Sequence, residues 1–381
     1  MRPHTDTLPS GFKRIPVLIA IVVMWSTQSW SQSIIFLPDL PGGTHNSVAT
    51  GVSNNGVVSG YTFFASNNPE AFVWSQTNGI TPLDQTPTAT IQSGTFGISE
   101  DGSTIVGGAV DANGGERAVS WSTANPSAEI SLSPSPRPIG NTAAEGASAD
   151  GSVIVGADND NAVVWSAGGE TPIAPLAQAN AVSSPGKVVV GGTIGTSSKP
   201  DFQAFSWTST SGFTPLNYLP GGTISVATAV SADGSVIAGG SDDSNTPGSY
   251  VPVRWTASGV QSLGTLGTDT LATGMSADGS IIVGWADHQS EAFIWDATNG
   301  IRLLSDVLES DGVNLNGFQL QQATGISTDG QYITGFTGDF GDRTAWLVQL
   351  PEPTGLSLVM IGAEGILIRR RRKPSAKLRR W

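Results

Sequence analysis

The feature that constrains this chain most is a short turn that returns seven times. An Asp-Gly pair, or a close substitute, stands at Asn55-Gly56, Asp101-Gly102, Asp150-Gly151, Pro185-Gly186, Asp233-Gly234, Asp278-Gly279 and Asp329-Gly330. Two residues before the first member of each pair lies a serine: Ser53, Ser99, Ser148, Ser183, Ser231, Ser276 and Ser327. Strand-like runs flank each pair, as TGMSA and SIIVGW flank Asp278-Gly279. Asp-Gly in that setting predicts a two-residue type I′ hairpin, in which both turn residues take positive φ. A third run follows after a loop and ends in tryptophan, at Trp74, Trp121, Trp165, Trp207, Trp255, Trp295 and Trp346. A fourth follows a small glycine turn, as in TNGITPL, TSGFTPL, ASGVQSL and TNGIRLL. The six steps from Trp74 to Trp346 average about 45 residues, the length of a four-stranded propeller blade. Helical repeats are excluded, because no segment between 33 and 350 sustains an apolar period of 3.6.

The ends of the array predict a closed ring. The last unit stops at AWLVQL and lacks a fourth strand, while SIIFLPDLPGG, before the first hairpin, parallels GFTPLNYLPGG at Gly212 to Gly222. The segment Ile34–Leu37 is therefore expected to pair beside Trp346 and protect an otherwise open sheet edge. The expected fold is all-β: one seven-bladed β-propeller over residues 32–350, closed by its N-terminal strand.

Charge is segregated along the chain. Of the formal −13, residues 1–31 carry +2 and residues 351–381 carry +6, which leaves −21 for residues 32–350. Such a domain repels phosphate backbones, so nucleic acid is excluded as a partner. With no cysteine in the chain there is no disulfide, thiolate metal site or thiol nucleophile.

The two ends are read as targeting segments. In residues 1–31, Lys13-Arg14 precede the apolar run IPVLIAIVVMW, and Ser29 and Ser31 supply small residues for a cleavage point, as in a signal peptide. At the other end, Pro351, Glu352 and Pro353 precede TGLSLVMIGAEGILI, and Arg369, Arg370, Arg371 and Arg372 follow. This predicts a short transmembrane helix with its basic end in the cytoplasm. The tail, 351–381, resembles the PEP-CTERM sorting signal of exopolysaccharide-producing bacteria. The resemblance implies an exosortase-type sorting enzyme and the membrane as transient partners, and delivery to the cell surface or matrix.

The repeats have a likeness of their own. LPGGTHNSVATGVSNNGVVSG, followed by EAFVW, resembles the extracellular HAF repeat, named for a His-Ala-Phe triplet. The histidine is replaced throughout, while Ala-Phe stands at 71–72, 204–205 and 292–293. The resemblance covers residues 36–350 and implies an extracellular address.

Catalytic signals are few. The histidines are His4, His45 and His288, and no G-x-S-x-G elbow marks a nucleophile. The seven repeat tryptophans read as packing between blades; Trp285 lies off the pattern and is expected to be exposed. Acids gather in the second-to-third loops: Asp111, Glu116, Asp158, Asp160, Asp201, Asp242, Asp243, Asp287, Asp339 and Asp342. These read first as solvating charge. Among them Asp158, Asp160, Asp242 and Asp243 offer hard oxygens of the kind Ca²⁺ takes.

The expectation is an exported, non-catalytic binding protein acting through the variable-loop face, with exopolysaccharide as the partner considered. The alternatives are a propeller glycosidase or lyase using loop carboxylates, and a structural surface spacer.

Overall fold

The computed structural model describes residues 33–83, 90–133, 142–195 and 202–350. Both targeting segments lie outside them. So do the expected C-terminal membrane helix, Pro351 to Arg372 of the sorting motif, and Asp201. Among the described residues no helix is long and apolar enough to cross a membrane.

Seven antiparallel sheets of four strands hold all the described strands, and in six of them the strands lie in sequence order. Six blades cover 47–82, 90–131, 143–175, 177–215, 225–262 and 271–303. The seventh combines three strands from 322–349 with the N-terminal strand Ser33–Phe36. The register is Ser33 with Gln349, Ile34 with Val348, Ile35 with Leu347 and Phe36 with Trp346. The Leu37 N–H continues the pairing to the Ala345 carbonyl at 2.8 Å. The ring is thus closed by the two ends of the repeat array, as the truncated last unit requires. First strands of neighbouring blades touch all the way round, blade 7 against blade 1 included, so they line the central channel.

The tryptophans explain how the blades hold together. Trp74 packs with Ala345 and Leu347 of blade 7, Trp121 with Ala71 and Val73 of blade 1, and Trp346 with Ile294 of blade 6. Trp165, Trp255 and Trp295 make the same reach to the preceding blade, and Trp207 does so half-buried. Each therefore contributes its large apolar surface to an interface between sheets. Ala71-Phe72, Ala204-Phe205 and Ala292-Phe293 are also fully buried, which accounts for their repetition.

Two local expectations are corrected. The Asp-Gly turns are not type I′, because glycine alone takes positive φ, at 68–77°. Each turn is closed by the glycine N–H donating to the serine carbonyl three residues back, as from Gly234 to Ser231 at 2.9 Å. The serine hydroxyl, buried in all seven blades, accepts a backbone N–H from the returning strand at 2.9–3.1 Å. It donates in turn to the Asp or Asn two residues on, in every blade except that of Pro185. A four-residue turn organised by Ser and Asp thus replaces a two-residue turn organised by Asp and Gly. The second correction is a helix, Leu304–Ser310, in the connection from blade 6 to blade 7. At two turns it is too short to impose a visible period, and it buries only Leu304 and Leu308.

Candidate functional site

The channel wall carries a feature repeated in every blade. The first strand bulges at Thr50, Phe96, Glu145, Asn180, Thr228, Thr273 and Thr324, and that of blade 2 shifts register a second time, between Thr90 and Gln92. A bulge adds an unpaired residue and re-aims its side chain. Opposite the residue before each bulge stands a second-strand glycine, such as Gly239 opposite Ala227. A Cβ on Gly239 would lie 2.0 Å from the Val226 carbonyl, so only glycine fits there.

The bulge residues stitch neighbouring blades together. Thr228 donates to the Ala272 carbonyl at 2.8 Å, Thr273 to Ala323 at 2.7 Å, Thr324 to Ala49 at 2.7 Å, and Asn180 to Ala227 at 2.8 Å. The Thr50 and Thr95 hydroxyls meet at 2.7 Å. Glu145 accepts from the Gln178 side chain of blade 4 at 2.6 Å. Burial pushes the Glu145 carboxyl up to about 7, with the Gln178 amide working against that rise. Phe96, in blade 2, is the member of this series with no polar side chain, and its ring is 42 % exposed.

At that break opens a cleft of about 350 Å³, lined by Tyr61, Phe63, Gln92, Phe96, Glu116 and Thr142 among others. It runs from the second strand of blade 1 across blade 2 to the first strand of blade 3. Blade 7 extends it. Phe340, 63 % exposed, meets Phe63 edge-on at 5.5 Å, and Phe63 meets Tyr61 edge-on at 5.5 Å. Arg343 lies over the rings of Phe336 and Phe340, at 4.7 and 5.3 Å from their centres. Burial raises the Tyr61 phenol, and the charge of Arg343 offsets part of that rise. Apart from Phe96, on the first strand of blade 2, the aromatic residues and Arg343 come from the second-to-third connections of blades 7 and 1 and the strands beside them. That is the variable-loop face.

The acids named from sequence are placed differently. Asp242 is buried, and its carboxylate accepts from the N–H groups of Thr223, Ile224 and Gly248 and from the Thr223 hydroxyl. Burial works against its charge, yet these donors hold the carboxyl below the ordinary range. Asp243 folds its own loop by accepting from Asn245 and Thr246, and its carboxyl is lowered for that reason. Asp158 is buried and accepts from Thr142, while Asp160 takes positive φ in the turn beside it. Among the described residues no group of three or more His, Asp or Glu is gathered to hold a metal. What these acids visibly do is shape loops; of the ten, Glu116 lines the cleft.

Trp285 corrects the expectation of an exposed aromatic, being only 8 % exposed. It continues the second strand of blade 6 opposite Ala292, so IIVGW is one strand and not a strand with a loop residue attached. His45 and His288 are exposed loop residues near Asp39 and Asp269, at 3.2 and 3.6 Å. His288 also meets the Thr268 hydroxyl at 3.0 Å, a triad-like order of groups, but 3.6 Å is too long for the orienting hydrogen bond to Asp269.

Sequence reading missed Tyr61, Phe63, Phe96, Phe340 and Arg343. Phe96 alone left a signal: aligned on the strand glycines, the bulge position reads Thr, Phe, Glu, Asn, Thr, Thr, Thr around the ring.

These features define a seven-bladed propeller with an aromatic cleft at its variable-loop face. No family model matches the chain, and no curated protein matches it. Solved structures do. The β-propeller domain of the Trilobed protease from Pyrococcus furiosus is 9 % identical, over 80 % of this chain and 95 % of that one, with a TM-score of 0.54. That domain has an open velcro topology, whereas here both ends of the array share one sheet. A prolyl endopeptidase structure is 12 % identical over 81 % of this chain, with a TM-score of 0.53; the match spans 51 % of that chain. At such identities the likeness extends to the fold alone.

Proposed function

We propose that the protein is an exported, non-catalytic propeller that binds carbohydrate, an extracellular polysaccharide in particular, in the cleft across blades 1, 2 and 3 and on the aromatic ring of Phe340 beside it. The observation that carries this reading is the run of Phe340, Phe63, Tyr61 and Phe96 along a groove with a polar rim. Aromatic rings offer flat apolar faces, and Gln92, Glu116 and Thr142 supply the few hydrogen-bonding groups that set orientation. Among the described residues Glu116 is the one carboxylate lining the cleft, while Glu145 is held by Gln178 of the next blade and Glu100 by Ser184 of blade 4. This favours binding over glycoside hydrolysis, which needs two carboxyls flanking one bond.

The address is part of the same proposal. Lys13-Arg14 with the apolar run after them support export, and the Pro351-Glu352-Pro353 tail with Arg369 to Arg372 supports transient membrane anchoring and release. The HAF-like repeats agree with that address.

The test is titration of the purified protein with polysaccharide oligomers, followed by Tyr61→Ala and Phe340→Ala. Binding that falls tenfold or more in both variants is expected, with melting unchanged in Phe340→Ala, whose ring is exposed. Absence of binding, or binding indifferent to both changes, would overturn the reading. Replacing Pro351, Glu352 and Pro353 by alanine in the producing cell is expected to leave the protein in the membrane fraction.

A further inference from the structure

We infer that the cleft takes a carboxylate-bearing glycan, and that Arg343 is the receptor for its acidic group. The inference rests on the carbohydrate reading and narrows it to a class of ligand.

Charge is what singles out Arg343. The domain from 32 to 350 carries −21 and holds seven basic residues, so a cation on its binding face is unusual. The other described arginines have acceptors. Arg117 pairs with Glu129 at 2.7 Å, Arg302 pairs with Asp296 at 2.5 Å, and Arg254 donates to Gln261 at 2.9 Å. The Arg343 guanidinium has neither hydrogen bond nor ion pair among the described residues, and its Nε is buried without a partner. Asp339 and Asp342 are close in sequence, yet neither forms an ion pair with Arg343 among the described residues; the Asp342 N–H donates to the Asp339 carbonyl and closes the loop between them.

Position is fixed as well. The Arg343 carbonyl accepts from Ser47 of blade 1 at 2.8 Å, which pins the backbone across the closure of the ring. The rings of Phe336 and Phe340 then hold the guanidinium by its face. A guanidinium held by its face keeps its donors along its edge, in a planar fork that matches a carboxylate. Most of the entropy of ordering a long side chain has therefore been lost before any ligand arrives. Phe340 and Phe63 continue from Arg343 towards Tyr61 and the cleft, so an acidic sugar on Arg343 would have its neighbours over the aromatic rings.

Carboxylate on a sugar chain is favoured over a free anion because Phe340 and Phe63 connect the cation to a cleft long enough for neighbouring sugars. It is favoured over a nucleic acid because the −21 charge opposes a dense polyphosphate. Each uronic acid residue carries one charge at wider spacing, and at physiological salt repulsion beyond about 8 Å is largely screened.

The experiment compares a uronic acid hexasaccharide with the same oligomer after its carboxyls are reduced to alcohols, by calorimetric titration of the full chain. The native protein is expected to bind the acidic oligomer at least tenfold tighter. Arg343→Gln is expected to abolish that preference, so that the two oligomers bind alike, and Arg343→Lys to restore part of it. Equal affinity of the native protein for the two oligomers would overturn the inference, and that comparison needs no variant to fold. If both bind equally and Phe340→Ala abolishes both, the carbohydrate reading stands and the role of Arg343 falls. If neither binds, both fall together.

Discussion

The hydroxyl of Thr324 donates to the carbonyl of Ala49 at 2.7 Å, joining blade 7 to blade 1 across 275 residues of chain. It is the same bond that Thr228 makes to Ala272 between blades 5 and 6. Closure of the ring therefore uses the link found inside the array. Thr324→Val keeps the shape and removes the donor, and is expected to destabilise by about 1 kcal/mol. Thr228→Val should do the same to within about 0.5 kcal/mol. Urea unfolding of both variants checks this; a far larger effect at Thr324 would mean that the closure is special and not one more equivalent interface.

The Ser–Asp turns make a second prediction. In blade 5, Ser231 is buried, donates to Asp233 at 2.7 Å and accepts from the Val236 N–H at 3.0 Å. Ser231→Ala leaves that part-buried N–H without a partner and is expected to destabilise by about 1 kcal/mol in thermal or urea melts. Asp233 and Asp150 have carboxyls lowered to about 2, by Ser235 and Ser231 in the first and by Ser152 and Ser148 in the second. Their folded values lie below the unfolded ones, so their contribution is complete above about pH 4 and lost as pH falls towards 2. Asp233→Asn together with Asp150→Asn should make melting less sensitive to pH in that window.

Glu145 gives pH dependence of opposite sign. Its folded value, about 7, lies above the unfolded value near 4.5, because burial penalises its charge. Its contribution is complete below about pH 4.5 and is lost as pH rises through 7. Glu145→Gln removes the titration while keeping an oxygen to accept from Gln178. The variant is expected to melt above the native protein at pH 8 and to lose part of the native decline between pH 5 and 8. A variant that melts below the native protein at pH 8 would show that the carboxylate is stabilising there.

What could be read from sequence followed from how local each cause was. The turn serines and glycines act within six residues, so their spacing displayed the blades directly. Ile34–Leu37 was placed beside Trp346 because a missing fourth strand and a spare one balance by counting. The turn type was misread because the controlling contact, from the Ser231 hydroxyl to the Val236 N–H, involves a residue outside the Asp-Gly pair. The cleft was invisible for a different reason. Phe340 and Phe63 are far apart in the chain and meet only because blade 7 adjoins blade 1, and the unpaired state of Arg343 depends on where Asp339 and Asp342 turn.

Phe96 separates the needs of the fold from those of the cleft. At its place in blades 5, 6 and 7, a threonine donates to the carbonyl before the next bulge, at Ala272, Ala323 and Ala49. The corresponding carbonyl for blade 2 is that of Ala144. Phe96→Thr would supply the missing link, worth about 0.5–1.5 kcal/mol, and would give up the burial of a ring already 42 % exposed. The two effects oppose one another, so stability is expected to stay within about 1 kcal/mol of native. The carbohydrate binding proposed for this cleft is expected to fall at least tenfold. Calorimetric titration and urea unfolding on the same sample decide the matter. If stability falls by about 3 kcal/mol, as when a buried aromatic is truncated, Phe96 is a core residue and the break in the ring serves packing. If stability holds while binding falls, one blade has exchanged its link to the next for a surface that meets a ligand.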